Sequence, residues 1–479
     1  VGEAVGQAQR SRTSPSIGAA AGLLIVAAGV AVGLRSLADN SFLTHLATGR
    51  LILEQGSVPS ADPYSFTAAG EPWVVQSWLA SVLYATAESI GGLEAVRLLM
   101  GVVAGALAAL AWTLLRPATG LVARLALGAL AVAVGGGLWT ERPYMLGLLA
   151  FAGFVLAGEG RLRPVWLVPL AWAWVNVHGS FPLGLVYLAV VALGARLDGD
   201  DPSTGLRALA WGAIGVVAGA IGPLGPKVLL FPLDLLGRQE LLSNVVEWQA
   251  PSFGSFSQRA FLLQAIVAVV LLVRRPRFRA ALPLVVFLAA ALLGSRNIVV
   301  ASIAWLPAMA MAVGDVGGIR STDRTPVARV LGVVAVAAMV LLASARLQLA
   351  PVDLDRYPVD LFAYLEEQEV DTTEVRLAAP DYVGNFVGFV YGPEERVFFD
   401  DRFDMFPDEV AQAALDLTLV RPAVLASLDD FDIALVAVPR TSPLALVLAN
   451  EPGWRALYHD ERWVLSCRRS AELAPALTC

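Results

Sequence analysis

The span Ala38–Thr67 reads ADNSFLTHLATGRLILEQGSVPSADPYSFT and gathers Asp39, Asn40, His45, Arg50, Glu54 and Asp62 directly after a long apolar segment. Ionisable groups at membrane depth are costly and face a cavity or a partner. A carboxylate in that position can take the proton of an attacking hydroxyl, given hydrogen-bond reach and a suitable pKa. The same spacing also fits an amphipathic helix lying at an interface with its charges solvated.

Further along, Glu141, Arg142, Asn176, His178, Arg296 and Asn297 each stand at the end of an apolar run. Guanidinium groups there suit a phosphate or diphosphate head group, which they bind through paired charged hydrogen bonds. They could equally form salt bridges between helices, for example with Glu141 or Asp39. His178 lies in the run WAWVNVHGSF, where a hydrogen-bonded structural histidine is the commoner role. Trp172 and Trp174 beside it read as interfacial belt residues.

The elements that must position these groups follow from composition. Apolar residues make up 57% of the chain, charged residues 16%, and the mean hydropathy is +0.66. A soluble protein carries about 25% charged residues, so this is a polytopic membrane protein. Lys227 is the single lysine among many arginines, a pattern of GC-rich bacterial codon usage. The formal charge of -7 says little about partners. No basic stripe with interleaved aromatics exists, so nucleic acid is excluded as a partner. Two cysteines, Cys467 and Cys479, exclude a four-cysteine metal site, and the three histidines lack an HExxH-like spacing. The residues thus do not support a metal, a divalent metal is left open as an alternative, and no cofactor is assigned.

Apolar length and loop arginines predict a mainly α-helical membrane domain of eleven spans. The first is Ile17–Leu34, with Arg10 and Arg12 holding a tail, 1–16, in the cytoplasm. An outer loop, 37–92, follows, with an interfacial helix at Leu43–Glu54 and a re-entrant or peripheral helix at Trp73–Ile90. The remaining spans are Leu93–Leu115, Leu125–Leu138, Tyr144–Gly158, Pro164–Val175, Pro182–Gly194, Leu206–Ile221, Phe261–Val273, Ala280–Leu293, Ile298–Val313 and Val330–Ser344. Gly222–Ser257 reads as a long outer loop. Arg274, Arg275, Arg277 and Arg279 mark a cytoplasmic turn, which leaves Asp39, Arg142, His178 and Arg296 at outer helix ends. Those four are expected to converge on one cavity.

The membrane domain covers 17–346. Residues 347–479 change character: acids rise, and apolar runs shorten to strand length. Strands are expected at Val375–Ala379, Arg396–Phe399, Ile433–Val438, Ala456–Tyr458 and Trp463–Cys467. Helices are expected at Leu361–Gln368, Asp408–Leu417, Pro422–Leu428 and Pro443–Asn450. The alternation predicts a small extracytoplasmic α/β domain. In that oxidising setting Cys467 and Cys479 can pair, although the short loop and the chain end leave an unpaired state as the alternative.

Several runs together carry a resemblance: Asp39…His45-Leu46-Ala47-Thr48-Gly49-Arg50, Val58-Pro59…Asp62-Pro63-Tyr64-Ser65-Phe66-Thr67, Pro72-Trp73…Trp78-Leu79, Glu141-Arg142-Pro143, Asn176-Val177-His178-Gly179, Glu247-Trp248-Gln249, Ser295-Arg296-Asn297 and Asp400-Asp401-Arg402. The chain thereby resembles a bacterial family of polytopic membrane proteins similar to the GT-C class of glycosyltransferases. The resemblance implies a plasma-membrane enzyme that transfers a sugar from a polyprenyl-phosphate donor to an envelope glycan, lipid or protein. Its partners would be the lipid-linked donor, membrane lipid and an envelope acceptor; no protein partner is implied. It puts the catalytic acid at Asp39 and substrate contacts at His45, Arg50, Glu141, Arg142, Asn176, His178, Arg296 and Asn297. Relatives often carry a second acid two residues on; here that position is Ser41, so a metal-bridged acid pair is not implied. The alternatives are a non-catalytic envelope assembly protein that binds a lipid-linked glycan, and a transporter of such a substrate. The absence of an internal repeat argues against the transporter.

Overall fold

The computed structural model describes residues 15–316, 319–394, 396–475 and 477–479, with the backbone only at 239 and 240. The expected cytoplasmic tail, Arg10 and Arg12 included, lies outside the described residues except for Pro15 and Ser16.

Helices come first in the chain: α1 (Ile17–Gly33), α2 (Asn40–Gln55), α3 (Trp78–Leu114), α4 (Leu121–Gly135), α5 (Pro143–Gly158), α6 (Leu167–Val177), α7 (Pro182–Leu197) and α8 (Ser203–Ala218). Then follow α9 (Lys227–Gly237), α10 (Gln239–Leu242), α11 (Phe256–Arg274), α12 (Phe278–Leu293), α13 (Ile298–Val313) and α14 (Pro326–Arg346). Local sequence sets several starts. Ser16, Ser255 and Thr325 cap α1, α11 and α14 by accepting from the N–H three residues on, each at 3.2 Å. Pro143, Pro182 and Pro326 open α5, α7 and α14, where a missing N–H costs nothing. The helix α3 is broken within: Gly91 and Gly92 leave helical geometry, Gly92 at φ 68°. The stretch expected as a separate helix at Trp73–Ile90 is therefore the first limb of α3, starting at Trp78. The expected loop Gly222–Ser257 is partly helical, holding α9, α10 and a 3-10 turn at Val246–Trp248.

The chain divides into two compact units. The first comprises Val1–Leu37, Ala87–Pro232 and Val245–Val352. Among the described residues, Trp78–Leu114, Phe256–Arg274, Ser295–Val313 and Pro326–Arg346 are long and apolar enough to cross a membrane, and seven further apolar helices have 10–17 residues. Small residues let these helices approach closely. A Cβ on Gly33 would stand 2.3 Å from the Met100 carbonyl oxygen. Between α11 and α13, Gln264 donates to Ser302 O at 3.1 Å, and the Ser302 hydroxyl returns a bond to Gln264 at 2.6 Å. On α14, Val330, Val333, Val334 and Leu341 are more than half exposed, an apolar surface suited to lipid.

The second unit comprises Ala38–Thr86, Leu233–Asn244 and Asp353–Cys479. Its tail adds α15 (Val359–Glu367), α16 (Asp381–Tyr391), α17 (Asp408–Leu419), α18 (Val424–Asp430) and α19 (Pro443–Asn450). The strands are β1 (Leu377–Ala378), β2 (Leu435–Pro439), β3 (Trp454–His459), β4 (Trp463–Arg468), β5 (Glu472–Ala474) and β6 (Leu477–Thr478). Four form a sheet ordered β1-β2-β4-β3, with β1 parallel to β2 and the other pairs antiparallel. Cys467 on β4 is disulfide-bonded to Cys479, their Cα atoms 5.8 Å apart. The strand expected at Arg396–Phe399 is absent. That run makes a single parallel bridge, Ser65 to Val397, and the Thr67 hydroxyl donates to Phe398 O at 2.6 Å. Its apolar side chains are buried against other elements, so its hydrophobicity serves packing without a ladder. The helix α16 was not expected. It packs on α2, and Gly384 permits its approach to the Phe399 carbonyl oxygen, 2.0 Å from where a Cβ would sit.

One buried cluster fastens the early loop into this unit. Arg402, with a side chain 7% exposed, pairs with Asp62 at 2.7 Å and Asp400 at 2.8 Å. Its guanidinium lies 4.5 Å from the Trp73 ring centre and 5.1 Å from that of Tyr64. Asp62 also accepts from the backbone N–H groups of Tyr64 and Ser65 and from the Ser65 hydroxyl. Burial alone would lower the Arg402 pKa; Asp400 and Asp62 outweigh it, so the pKa is raised. Burial raises the Tyr64 phenol to about 12. Removing one member of a buried ion cluster strands the others. Arg402→Ala should therefore cost about 3–5 kcal/mol, read as a fall in the thermal midpoint of the purified chain. Arg402→Lys should not restore it, because an ammonium cannot span both carboxylates in that planar arrangement.

Candidate functional site

In the first unit, Arg142, His178 and Arg296 belong to one connected cluster. Arg142 is the N-cap residue of α5, and its guanidinium is paired with Glu247. Arg296, in a 3-10 turn before α13, reaches the other oxygen of Glu247 at 3.7 Å. Its guanidinium also lies over Trp248, 4.4 Å from the ring centre. The Tyr144 hydroxyl donates to Arg296 O at 2.8 Å, and the Tyr144 ring stands 5.0 Å from that of His178. His178 Nδ1 lies 2.9 Å from the Ser180 hydroxyl, which also accepts from the Trp174 indole at 3.1 Å. The segment 246–249 that brings Glu247 and Trp248 is held by Ser295, whose N–H donates to Gln249 O at 2.8 Å. The cluster therefore joins two guanidinium groups, one carboxylate and three aromatic rings at partly exposed helix ends.

Other expected site residues have structural positions. Asn176 is fully buried and donates to Trp172 O at 2.9 Å and Gly219 O at 3.1 Å, joining α6 to the end of α8. Asn297 donates to Ala290 O at 3.0 Å and so closes the last turn of α12. Glu141 precedes Arg142 in the turn and lies within Coulomb range of Arg35. Trp174 is a core residue, 2% exposed and packed on Phe154, so it is no belt residue.

In the second unit, Asp39 is the N-cap residue of α2 and accepts from Ser41 N at 3.1 Å. The Ser41 hydroxyl donates to Asp401, and Asn40 donates to the same carboxylate at 3.3 Å. Asn385 accepts from Asp401 N at 3.3 Å and from the Thr44 hydroxyl at 2.9 Å, which fixes α16 beside α2. Two acids thus bind Ser41 at the start of α2, one from the loop and one from the tail. His45 Nδ1 lies 3.3 Å from the Ser81 hydroxyl. Arg50 donates to Phe389 O at 3.2 Å and covers the Phe389 ring at 4.6 Å. Among the described residues no group of three or more His, Cys, Asp or Glu side chains could hold a metal ion.

Sequence reasoning gave no role to Glu247 or Trp248, and it read Asp401 as one of several acids at a strand end, either solvated or positioning a carbohydrate, where the structure has no strand. Each lay in a run that carries the resemblance, and that was the signal available. The pairing partners could not be read, since Ser41 and Asp401 are 360 positions apart.

The chain is mainly helical, with small sheets toward the C-terminus. Among solved structures the chain is similar to the archaeal oligosaccharyltransferase AglB from Archaeoglobus fulgidus, in complex with an inhibitory peptide and a dolichol-phosphate. The match has 12% identity and a TM-score of 0.50, covering 87% of this chain and 69% of that one. The apo form of the Archaeoglobus fulgidus oligosaccharyltransferase matches at 12% identity and a TM-score of 0.51, with the same coverage. At this identity the likeness is one of fold. No family model and no curated protein matches the chain.

A charged hydrogen bond contributes about 1.5–3 kcal/mol, and less where the groups are partly solvated. Ser41→Ala, which removes the donor to Asp401, should lower stability by about 1 kcal/mol, measured by thermal unfolding. An unchanged midpoint would mean that Asp401 does not hold the start of α2.

Proposed function

We propose that this protein is a membrane glycosyltransferase that moves a sugar from a polyprenyl-phosphate donor to an envelope glycan, lipid or protein. The observation that carries this reading is the fold likeness, over 87% of the chain, to an oligosaccharyltransferase whose structure holds a dolichol-phosphate. The proposal keeps eleven crossings in a bacterial plasma membrane, the N-terminus inside and residues 347–479 outside. The Cys467–Cys479 disulfide supports an oxidising compartment for the tail.

The reaction needs two roles. The acceptor oxygen attacks the anomeric carbon while the bond from that carbon to the phosphate oxygen breaks. The electron pair leaves with the phosphate, and the acceptor proton passes to the Asp39 carboxylate as general base. Arg142 and Arg296 hold the donor phosphate and stabilise the charge that grows on it. The phosphate then competes with Glu247 for the two guanidinium groups. Trp248 and Tyr144 provide ring faces, and His178, Glu141, His45 and Arg50 support the substrate contacts; Asn176 and Asn297 act only through the helix ends they tie together.

A non-catalytic lipid-linked-glycan binder is the second reading. Its support is the helix-capping bond of Asp39, which gives that acid a structural occupation. Asp39→Asn separates the two, because asparagine caps a helix as well as aspartate does. Transfer should fall by about 100-fold or more, while donor binding and the thermal midpoint stay unchanged. Transfer at the wild-type rate would remove Asp39 from catalysis.

Glu247 offers an independent check. Glu247→Gln removes the competing charge, so affinity for a short polyprenyl phosphate should rise about three- to tenfold, equivalent to roughly 1 kcal/mol. Arg296→Ala should weaken the same binding. Titration with the lipid phosphate measures both; weaker binding by Glu247→Gln would mean that Glu247 positions the arginines instead of competing for them.

A further inference from the structure

The first unit contains a cavity of about 590 Å³ between α11, α12 and α13, away from the arginine cluster at Glu247 in the chain. Leu271, Leu284 and Met309 supply apolar wall, and its size suits a small amphiphile or part of a larger one. Trp305 also lines it. That residue is 1% exposed, yet its indole N–H has no acceptor among the described residues. A buried donor without an acceptor is costly. An occupant that carries an acceptor oxygen among its apolar parts would remove that cost.

Charge at the rim narrows the chemistry. Arg277 is neutralised by Asp198 at 3.6 Å and Asp200 at 2.7 Å. Arg275 is exposed and donates to Met311 O at 3.1 Å, in the last turn of α13. Asp315 borders the same cavity just beyond the end of that helix, where the helix carbonyls add negative potential. The rim therefore presents a cation and an anion together.

We propose that this cavity is a binding site for a zwitterionic glycerophospholipid of the phosphatidylethanolamine type. Its acyl chain lies on Leu271, Leu284 and Met309, and an ester oxygen accepts from the Trp305 indole. Its phosphate meets Arg275 and its ammonium meets Asp315. The ester oxygens separate this ligand from an isoprenoid phosphate, whose chain offers the indole no acceptor.

The test uses the full chain purified in detergent, equilibrated with vesicles of phosphatidylethanolamine and phosphatidylglycerol in equal parts, then washed and analysed for bound lipid by mass spectrometry. Retained phosphatidylethanolamine in excess over phosphatidylglycerol is expected. Arg275→Gln should reduce retention about tenfold, the effect of losing one charged hydrogen bond. Asp315→Asn should keep lipid bound but abolish the preference for phosphatidylethanolamine. Both residues border solvent, so these variants should keep the wild-type thermal midpoint. Trp305→Phe, which keeps the ring but removes the donor, should lower retention several-fold. The proposal is overturned by bound lipid in the same ratio as the vesicles, by retention indifferent to Arg275→Gln, or by displacement with inorganic phosphate alone.

Discussion

Arg402 is the constraint on which the second unit depends. Burying a guanidinium costs several kcal/mol after relaxation. Two carboxylates and the faces of Trp73 and Tyr64 offset that cost only if the residues from 62 to 73 lie against the tail. The loop is thereby a folded part of the tail unit and not a free connection between helices. The same contact fixes the neighbouring residue. Asp400 and Arg402 meet in the buried cluster, while Asp401 between them reaches Ser41 at the start of α2. A structural ion cluster and a pair of acids around Ser41 are thus set by three consecutive residues.

The first unit uses charge differently. Arg142 and Arg296 are partly exposed and share one carboxylate, so their pairing contributes little to stability. Its value is geometric. Glu247 and Trp248 hold two helix-end arginines near Tyr144 and His178.

The helical architecture was legible because apolar length and end signals agree. Helix α13 was expected at Ile298–Val313, where it lies, whereas α11 and α14 begin at Phe256 and Pro326, before the expected Phe261 and Val330, because the caps Ser255 and Thr325 went unused in the sequence reading. In the tail, the periodic stretch Pro443–Asn450 was read with its observed ends. Helix α16 escaped because Val, Phe and Tyr dominate it, and these favour strands in isolation. The opposite error arose at Arg396–Phe399, where an apolar run serves packing. Arg142, His178 and Arg296 drew attention as polar groups against apolar helices, a property visible in sequence. Glu247 lies between helices without periodicity, and Asp62 finds Arg402 across 340 positions. Such pairings are set by tertiary structure and leave no local pattern.

The reading as a sugar transferase is tested most directly by the fate of the donor phosphate. The purified chain would be placed in liposomes with a polyprenyl-phosphate sugar and a membrane extract as acceptor, and followed by phosphorus magnetic resonance. The account predicts conversion of the glycosyl phosphodiester to the free polyprenyl monophosphate, with the sugar recovered on an acceptor. Donor that binds but remains a phosphodiester with every acceptor fraction would contradict it and leave a lipid-linked-glycan binder.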